Sequence, residues 1–158
     1  MWHIVVSDHM SGASITLQPA ADRDRGLAYV ESLLEANDLP SRDVRDESAA
    51  FFVGYDGDER VGIGGLETYG SDGLLRSLVV DRSARGNGYG TALCSALEAR
   101  ARTAGLERLY LLTTTASTFF ANRGYEETDR ATVPDAIGST AQFEDLCPST
   151  ATCMTKSL

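Results

Sequence analysis

Hydrophobic and polar residues alternate in four stretches of the first half of the chain, as they do in half-buried β-strands. Turn residues at Asp56-Gly57-Asp58 and at Gly70–Gly73 separate the last three stretches, so we expect an antiparallel meander there. Between the first two stretches, apolar residues three and four apart predict a helix over Arg25–Ala36, and the polar stretch Ser41–Ser48 is interpreted as a loop or short helix bordering a substrate site. The four predicted strands are Ser14–Gln18, Phe51–Tyr55, Arg60–Tyr69 and Leu74–Val80.

The pattern changes after Val80, where a glycine-containing segment leads into a helix. Helical spacing over Thr91–Ala104 places Glu98 and Arg102 as an i, i+4 pair on the polar face. Leu109–Leu112 is nearly all apolar, which is typical of a strand buried on both faces. A strand, a crossover helix and a second strand imply parallel pairing, so the sheet is expected to change here from antiparallel to parallel.

Four further elements are expected towards the end of the chain. The first is a short helix over Ser117–Arg123. The tail Glu126–Leu158 is expected to hold another strand, a helix near Pro134–Leu146 and a last strand over Ala151–Thr155. The length of 158 residues is that of one domain. Residues 1–13 are interpreted as a loose leader, so the predicted domain covers residues 14–158.

Composition narrows the class of protein. The 23 acidic and 14 basic residues give a net charge of −9, which argues against a nucleic-acid partner because such a partner requires a positive surface. No run approaches the roughly 18–20 apolar residues of a membrane span, and no export signal is recognisable, so we expect a cytoplasmic protein without a membrane partner. Cys94, Cys147 and Cys153 are then expected to be free thiols.

The segment Asp81–Thr91 carries the most chemical information. Three glycines stand at alternate positions between a strand and a helix, where the backbone can pass close to a bulky anion. The helix start adds about half a positive charge and Arg85 a full one, which suits a pyrophosphate. No lysine is present for a P-loop, and Thr91 stands where the dinucleotide fingerprint has its third glycine. A tight strand–helix turn without a ligand is the alternative.

The same segment resembles a loop of a known enzyme family. Arg85-x-x-Gly88-x-Gly90 after an apolar strand is similar to the acyl-CoA pyrophosphate loop of the GNAT N-acetyltransferase superfamily. The likeness runs from Ser14 over nearly the whole chain. It includes the family's downstream Ala-x-x-x-Tyr-x-x-x-Gly-Phe pattern, matched here by Ala116, Phe120, Gly124 and Tyr125.

A narrower resemblance is to the N-acetyltransferases of arsenic-resistance operons. It is carried by the stretches LLRSLVV, LYLLTTTA, FFANRGY and LCPSTATCM. The resemblance to the superfamily implies an α/β (α+β-like) chain with the GNAT fold. That fold is a central mixed sheet of six or seven strands with helices on both faces and a splay between the fourth and fifth strands.

The resemblance also implies acetyl-CoA as the co-substrate, and no metal. Backbone groups of the strand before the loop would contact the pantetheine arm, and Phe120 stands at a cofactor-contacting position that usually holds a tyrosine. The strand residues concerned are Leu78, Val79 and Val80. The pyrophosphate would be held by Arg85 and by the backbone N–H groups of Gly86, Asn87, Gly88, Tyr89, Gly90 and Thr91.

In this family a neutral amine attacks the thioester directly, which requires a base for the ammonium. Glu67, at the end of the central meander, is the candidate base acting through water and a candidate substrate contact; a solvated acid at a strand end is the alternative. Arg76 lies inside an apolar strand and needs an anion or water. It is a candidate to clamp a substrate carboxylate, to pair with Glu67 or to face solvent.

The sequence differs from the family at the group that protonates the departing thiolate, because Phe120 has no hydroxyl to act as the acid. Thr113, where the family often has an asparagine that contacts the cofactor, and Tyr125 are candidate catalytic residues. Tyr110 and Thr115 are further candidates, and an unassisted departure of the thiolate is the alternative.

The predicted function is an acetyl-CoA-dependent N-acetyltransferase for a small-molecule amine. The narrower resemblance implies an amino-acid-like arsenical or a related toxic glutamate analogue as the acceptor. The alternative function is a non-catalytic acyl-CoA-binding sensor, supported by Phe120. Cys147 and Cys153 suggest a thiolate site for arsenic or, alternatively, small buried residues. The resemblance further implies a homodimer through terminal strands, with Ala151–Thr155 as the candidate.

Overall fold

The computed structural model describes residues 15–20, 26–37, 50–85, 88–114, 116–138 and 151–158. Its strands are β1 (Thr16–Pro19), β2 (Ala50–Asp56), β3 (Glu59–Tyr69), β4 (Asp72–Val80), β5 (Arg108–Thr113), β6 (Glu126–Glu127) and β7 (Thr152–Ser157). Its helices are α1 (Gly26–Ala36), α2 (Tyr89–Thr103), α3 (Ser117–Asn122) and α4 (Asp135–Gly138), with 3₁₀ turns at Arg82–Ala84 and Arg130–Thr132. The elements of the first half lie where the hydrophobic pattern predicts them, within one or two residues.

The strands form one sheet in the order β1-β2-β3-β4-β5-β7-β6. The β4–β5 pair is parallel, and the other pairs described are antiparallel. The change of direction falls after β4 because α2 carries the chain back across the sheet before β5 begins. The predicted mixed sheet, antiparallel in its first half and parallel at this crossover, is confirmed.

Helix α2 lies close to one face of the sheet because glycines on β2 and β3 leave room for it. Gly54 and Gly62 lie beneath Leu93, and Gly64 lies beneath Leu97. A methyl group added at Gly64 would stand 2.4 Å from the Leu97 Cδ1 atom, so the helix could not keep this approach over a larger residue. This contact fixes where the start of α2 lies relative to β4.

Helix α1 covers the opposite face. Its Val30, Leu33 and Leu34 are buried in a second cluster that includes Ile63 of β3 and Val79 of β4. Two apolar clusters, one on each face, therefore hold the sheet between helices, as expected for an α/β fold. The prediction of helices on both faces is confirmed.

After β4, two predicted boundaries differ from the structure by two residues. Helix α2 begins at Tyr89, two residues before the prediction, because Gly88 adopts a left-handed conformation with φ 81° at the N-cap. Strand β7 ends at Ser157, two residues beyond the prediction, because its backbone pairs with β5 that far. Of the helix predicted near Pro134–Leu146, the structure describes four residues, which end at Gly138.

Several predictions fall outside the described residues: the leader, the polar stretch 41–48, Gly86, Asn87, Thr115 and Cys147. Within the described ranges, no helix has the length and apolar character that crossing a membrane requires. The strand predicted as the candidate for dimer formation corresponds to β7, which lies between β5 and β6 in the sheet. Dimer formation itself stays a prediction.

Candidate active site

Strands β4 and β5 pair over only three residues and then separate. The pairs are Asp72 with Arg108, Gly73 with Leu109 and Leu74 with Tyr110. Beyond them β4 continues to Val80 and β5 to Thr113 without pairing to each other. The sheet is therefore open at the carboxyl ends of two parallel strands, and the predicted splay between the fourth and fifth strands is confirmed.

A β-bulge in β4 borders this opening. Arg76 pairs with Gly65 and Val79 pairs with Ile63, so that Ser77 and Leu78 together oppose a single residue of β3. Ser77 has φ 56°, the left-handed region, which is uncommon for a residue with a side chain. The bulge turns the strand at Ser77 and Leu78, the latter being the first of the three residues predicted to contact the pantetheine arm.

Those three residues have buried side chains and lie on the edge of β4 that faces the opening. Leu78 and Val80 belong to the core on the α2 face, and Val79 belongs to the core on the α1 face. Since their side chains pack on both sides of the sheet, only their backbone groups are available to a ligand in the opening. This arrangement agrees with the backbone role predicted for them.

The start of α2 lies where the chain returns from β4. Gly88 caps the helix without a side-chain hydrogen bond, and the first turn contains no acidic residue. The first backbone N–H groups of a helix have no carbonyl partner within it, and they carry the positive end of its dipole. The predicted phosphate-binding residues Gly88, Tyr89, Gly90 and Thr91 thus form the unsatisfied end of the helix.

The side chain of Arg85 has a structural role beside this loop. Its Nε donates to the Val80 carbonyl at 3.1 Å, and its Nη2 donates to Asn37 Oδ1 at 2.9 Å. Asn37 in turn donates to the Leu33 carbonyl at the end of α1. Arg85 therefore braces the end of β4 against α1, and its contact with a phosphate stays a prediction.

Tyr89 is also tied to the rest of the fold through its side chain. Its hydroxyl donates to Asp56 in the β2–β3 hairpin. The side chain is therefore engaged elsewhere, and the phosphate contact predicted for Tyr89 involves its backbone N–H group alone.

Glu67 and Arg76 form a buried ion pair on neighbouring strands. Arg76 Nη1 donates to Glu67 Oε2 at 2.9 Å, and the Tyr69 hydroxyl donates to the other carboxylate oxygen. Arg76 Nε also reaches the Ser77 hydroxyl at 3.3 Å, and its guanidinium stacks on Phe51 at 5.2 Å from the ring centre. A carboxylate, a guanidinium and a phenol are therefore fixed together next to the bulge.

Two of the alternative interpretations of these residues are wrong. Glu67 is 3% exposed and Arg76 is 0% exposed, so neither is a solvated surface charge. Pairing of Arg76 with Glu67, one of the three interpretations, is what the structure shows. Burial and the neighbouring carboxylate raise the pKa of Tyr69, so its phenol keeps its proton and serves as a hydrogen-bond donor. The roles of Glu67 and Arg76 in catalysis or substrate binding stay predictions.

The hydroxyl groups proposed as acids lie in different surroundings. The Tyr125 hydroxyl donates to Glu98 on α2 at 2.9 Å, and burial raises its pKa. Thr113 ends β5 at the opening, and its Oγ1 accepts a hydrogen bond from Ala116 N at 3.0 Å. Tyr110 is half-buried in the last pair before the splay. Of these three hydroxyl groups, that of Thr113 lies at the end of β5, beyond the point where β5 separates from β4.

Phe120 is completely buried. Its ring meets those of Phe119 and Tyr125 edge to face, at 5.0 and 5.3 Å between centres. The position usually held by a tyrosine acid thus contributes to the core in this chain.

A second buried carboxylate was not foreseen. Glu98 is 6% exposed and pairs with Lys156 at 3.0 Å, so the predicted surface pair of Glu98 with Arg102 is wrong. It also accepts hydrogen bonds from Tyr125 and, at 3.6 Å, from the Cys94 thiol. Lys156 is 58 positions further along the chain, and nothing in the helical pattern around Glu98 indicates it.

The described thiols are free and buried. Burial raises the pKa of Cys94 to about 12 and that of Cys153 to about 11, which keeps both protonated at neutral pH. Within the described part of the chain, no group of three or more histidine, cysteine, aspartate or glutamate residues is arranged to hold a metal ion.

The sequence profile of the acetyltransferase (GNAT) family matches residues 16–128. This range runs from β1 through the splay, the start of α2 and β6, and it contains the features described above. The chain belongs to the acetyltransferase (GNAT) family.

Individual relatives narrow the comparison. Over 72 residues the chain is 36% identical to an amino-acid acetyltransferase from Ectopseudomonas mendocina (strain ymp). The matched region covers 46% of this chain and 17% of that protein. The N-acetylglutamate synthase from Neisseria gonorrhoeae, solved with coenzyme A and N-acetyl-glutamate, has a TM-score of 0.75 at 20% identity, over 94% of this chain and 36% of that one. An aminoglycoside 6'-N-acetyltransferase complexed with coenzyme A has a TM-score of 0.67 at 20% identity, over 90% of this chain and 96% of that one.

This chain spans 17% and 36% of the lengths of the first two of these relatives. At 20% identity the two solved structures share its fold.

Proposed function

We propose that this protein is an acetyl-CoA-dependent N-acetyltransferase that acetylates the amine of a small, amino-acid-like molecule. The observation that carries the proposal is the splay between β4 and β5. The chain runs from this opening into the start of α2, which has no side-chain hydrogen bond at its N-cap. A slot edged by backbone groups, followed by a cluster of helix N–H groups, suits a long thioester that ends in a diphosphate.

The residues present fit such a co-substrate. The edge of β4 at Leu78, Val79 and Val80 offers backbone groups to the amides of the pantetheine arm, as a neighbouring strand would. Gly88, with its φ of 81°, turns the chain so that the N–H groups that follow point out of the helix. Binding of this kind depends on backbone geometry, so it tolerates much variation in side chains.

Glu67 is the proposed base. An ammonium must lose a proton before it attacks a thioester, and a carboxylate can accept that proton through one water molecule. Arg76 and Tyr69 each hold one oxygen of Glu67, which fixes the orientation of the carboxylate. Arg76 is thus a positioning residue for Glu67 in this proposal, since its charge is already engaged by that carboxylate.

The leaving thiolate needs little assistance. A thiol has a pKa of about 8.5, so its anion is a tolerable leaving group near neutral pH. We assign no acid role to Tyr125, because its hydroxyl is already donated to Glu98 and its pKa is raised. Thr113 remains the proposed hydrogen-bond donor to the thiolate, since its Oγ1 accepts from Ala116 N and its own proton is available.

The relatives support a class of acceptor. An amino-acid acetyltransferase matches part of the chain, and a structural neighbour was solved with N-acetyl-glutamate. We therefore propose an α-amino acid or a close analogue as the acceptor. The narrower candidates, an amino-acid-like arsenical or a toxic glutamate analogue, are supported by the resemblance of four sequence stretches alone.

The test is release of free thiol from acetyl-CoA with a panel of acceptors. The panel contains proteinogenic amino acids, an amino-acid-like arsenical, a polyamine and an aminoglycoside. We expect release that depends on the enzyme with members of the amino-acid class, and mass spectrometry should find the product heavier by one acetyl group. Turnover of the aminoglycoside or polyamine alone would refute the proposed acceptor class.

A second candidate is a non-catalytic acyl-CoA sensor, which is favoured by the burial of Phe120 at the position of the usual tyrosine acid. The two functions differ in one outcome of the same experiment. Binding of acetyl-CoA in a calorimeter, without thiol release on any amine of the panel, would support the sensor and contradict the enzyme.

A further inference from the structure

We propose that Arg123 is an additional cofactor-binding residue, whose guanidinium contacts the diphosphate of acetyl-CoA beside the start of α2. The inference rests on the proposed function. It adds one side chain to a phosphate site that is otherwise made of backbone N–H groups. Arg123 stands at an unspecified position of the pattern between Phe120 and Gly124, and that pattern assigns it no role.

Arg123 lies at the C-terminal end of α3, and its side chain extends to α2. Its Nη1 donates to Thr91 Oγ1 at 2.5 Å. Thr91 is in the first turn of α2, the turn whose N–H groups are proposed to bind the diphosphate. The guanidinium therefore stands beside that cluster of donors, although the two residues are 32 positions apart in the sequence.

Both ends of Arg123 are held in place. Its guanidinium stacks on the ring of Phe119, 5.5 Å from the ring centre. Its carbonyl accepts a hydrogen bond from Lys156 Nζ at 2.7 Å, and Lys156 is paired in turn with Glu98 of α2. The residue is thus fixed relative to α2 at its side chain and at its backbone, as a preorganised ligand contact requires.

The charges of Arg123 and of the start of α2 favour an anion beside both. The start of a helix carries about half a positive charge, and cations are normally placed at the opposite end. The first turn of α2 contains no acidic residue, and no carboxylate of the described ranges pairs with Arg123. A diphosphate beside both groups would neutralise this local excess of positive charge.

The geometry of the guanidinium suits this role better than that of Arg85. Arg123 uses one N–H for Thr91, and a guanidinium has five N–H donors in a planar fork that matches phosphate oxygens. Arg85, predicted from the sequence as the phosphate partner, instead donates to Val80 and Asn37. The structure thus places the guanidinium of Arg123, at the end of α3, beside the start of α2.

The test compares the wild-type protein with R123Q in calorimetric titrations of CoA, 3'-dephospho-CoA and pantetheine. We expect the Kd of R123Q for CoA to rise about 10- to 100-fold, the range for a lost hydrogen bond between charged groups. The Kd for dephospho-CoA, which keeps the diphosphate, should rise by the same factor. The Kd for pantetheine should not change. R102Q is the matched control, because Arg102 is exposed in the last turn of α2.

The outcomes separate the inference from the proposed function. If the wild type binds CoA and R123Q binds it equally well, the inference fails and the proposed function stands. An effect on CoA but not on dephospho-CoA assigns Arg123 to the 3'-phosphate and overturns the contact with the diphosphate. A wild type that does not bind CoA overturns both.

A measurement on the unaltered protein covers the case in which R123Q does not fold. Phenylglyoxal modifies accessible arginines, and peptide mass spectrometry reports each site separately. We expect CoA and dephospho-CoA to protect Arg123 from modification, pantetheine to give no protection, and Arg102 to react equally in all samples. Equal modification of Arg123 with and without CoA would overturn the inference.

Discussion

Two buried clusters in this molecule have nearly the same chemistry but different surroundings. In the first, Glu67 accepts hydrogen bonds from Arg76 and Tyr69. In the second, Glu98 accepts them from Lys156 and Tyr125. Each contains a carboxylate, a cation and a phenol, so the type of residue alone does not separate a functional group from a structural one.

The sequence separation of the partners distinguishes the two clusters. Glu67 and Arg76 are 9 positions apart on adjacent strands, beside the β4 bulge and the splay. Glu98 and Lys156 are 58 positions apart and join α2 to the last strand. The first cluster is therefore held by a hairpin and borders an opening, whereas the second connects distant parts of the fold. We expect loss of the first to impair catalysis and loss of the second to impair stability.

The largest expected effect is that of E67Q on catalysis. The amide keeps the size of the side chain but cannot accept the ammonium proton, so kcat/KM should fall by about 100- to 1,000-fold. Steady-state kinetics at saturating acetyl-CoA provide the measurement. E107Q, at an exposed glutamate, is the control and should retain the wild-type rate. A loss of less than threefold in E67Q would remove Glu67 from the mechanism.

The complementary prediction concerns E98Q. Removing this charge leaves the Lys156 ammonium without its counterion in a largely buried site, so the free energy of unfolding should fall by about 3 kcal/mol. Urea denaturation gives this value, and kcat of the remaining folded protein should stay within about twofold of the wild type. A large fall in kcat with unchanged stability would assign the second cluster to catalysis and reverse the comparison.

The sequence predicts the first cluster better than the second, for a physical reason. Glu67 and Arg76 lie on a predicted hairpin, where period-2 alternation brings residues of neighbouring strands together, and Tyr69 follows Glu67 at the same spacing. That spacing was the available signal for Tyr69. By contrast, the partner of Glu98 depends on how the last strand packs against α2, which no local pattern reports. A suitably spaced Arg102 therefore led to the wrong partner.

The same distinction applies to the rest of the fold and site. The meander, the crossover and the glycine loop follow from local alternation and turn residues. The bulge does not, because Ser77 adopts its φ of 56° without a glycine to indicate it. The contact between Arg123 and Thr91 depends on how α3 packs against α2, which no local pattern reports. Sequence reasoning also placed the charge of Arg85 in the loop, where the structure turns it towards α1.

A smaller effect is expected from R76K, which tests whether Arg76 positions Glu67. Lysine keeps the charge but loses the fork that reaches both Glu67 and Ser77. We expect kcat to fall about tenfold, with the KM for acetyl-CoA unchanged and the acidic limb of the pH–rate profile displaced. K156R is the matched exchange in the second cluster and should leave kcat and the pH profile unaltered. An unchanged pH profile in R76K would assign Arg76 a purely structural role.

The smallest expected effect concerns Cys94, whose thiol donates to Glu98 in the second cluster. Burial, together with that carboxylate, raises its pKa from 9.0 to about 12. The unfolded thiol therefore ionises first as the pH rises, so the stability that this group contributes below pH 9 is lost progressively up to about pH 12. Between pH 9 and 10 the loss of stability should be about 1 kcal/mol.

Urea denaturation of the wild type and of C94A at both pH values measures this loss, and the stability of the variant should fall correspondingly less. Parallel slopes for the two proteins would mean that the thiol is not held protonated by the fold, and that the second cluster is more open to water than its buried contacts indicate.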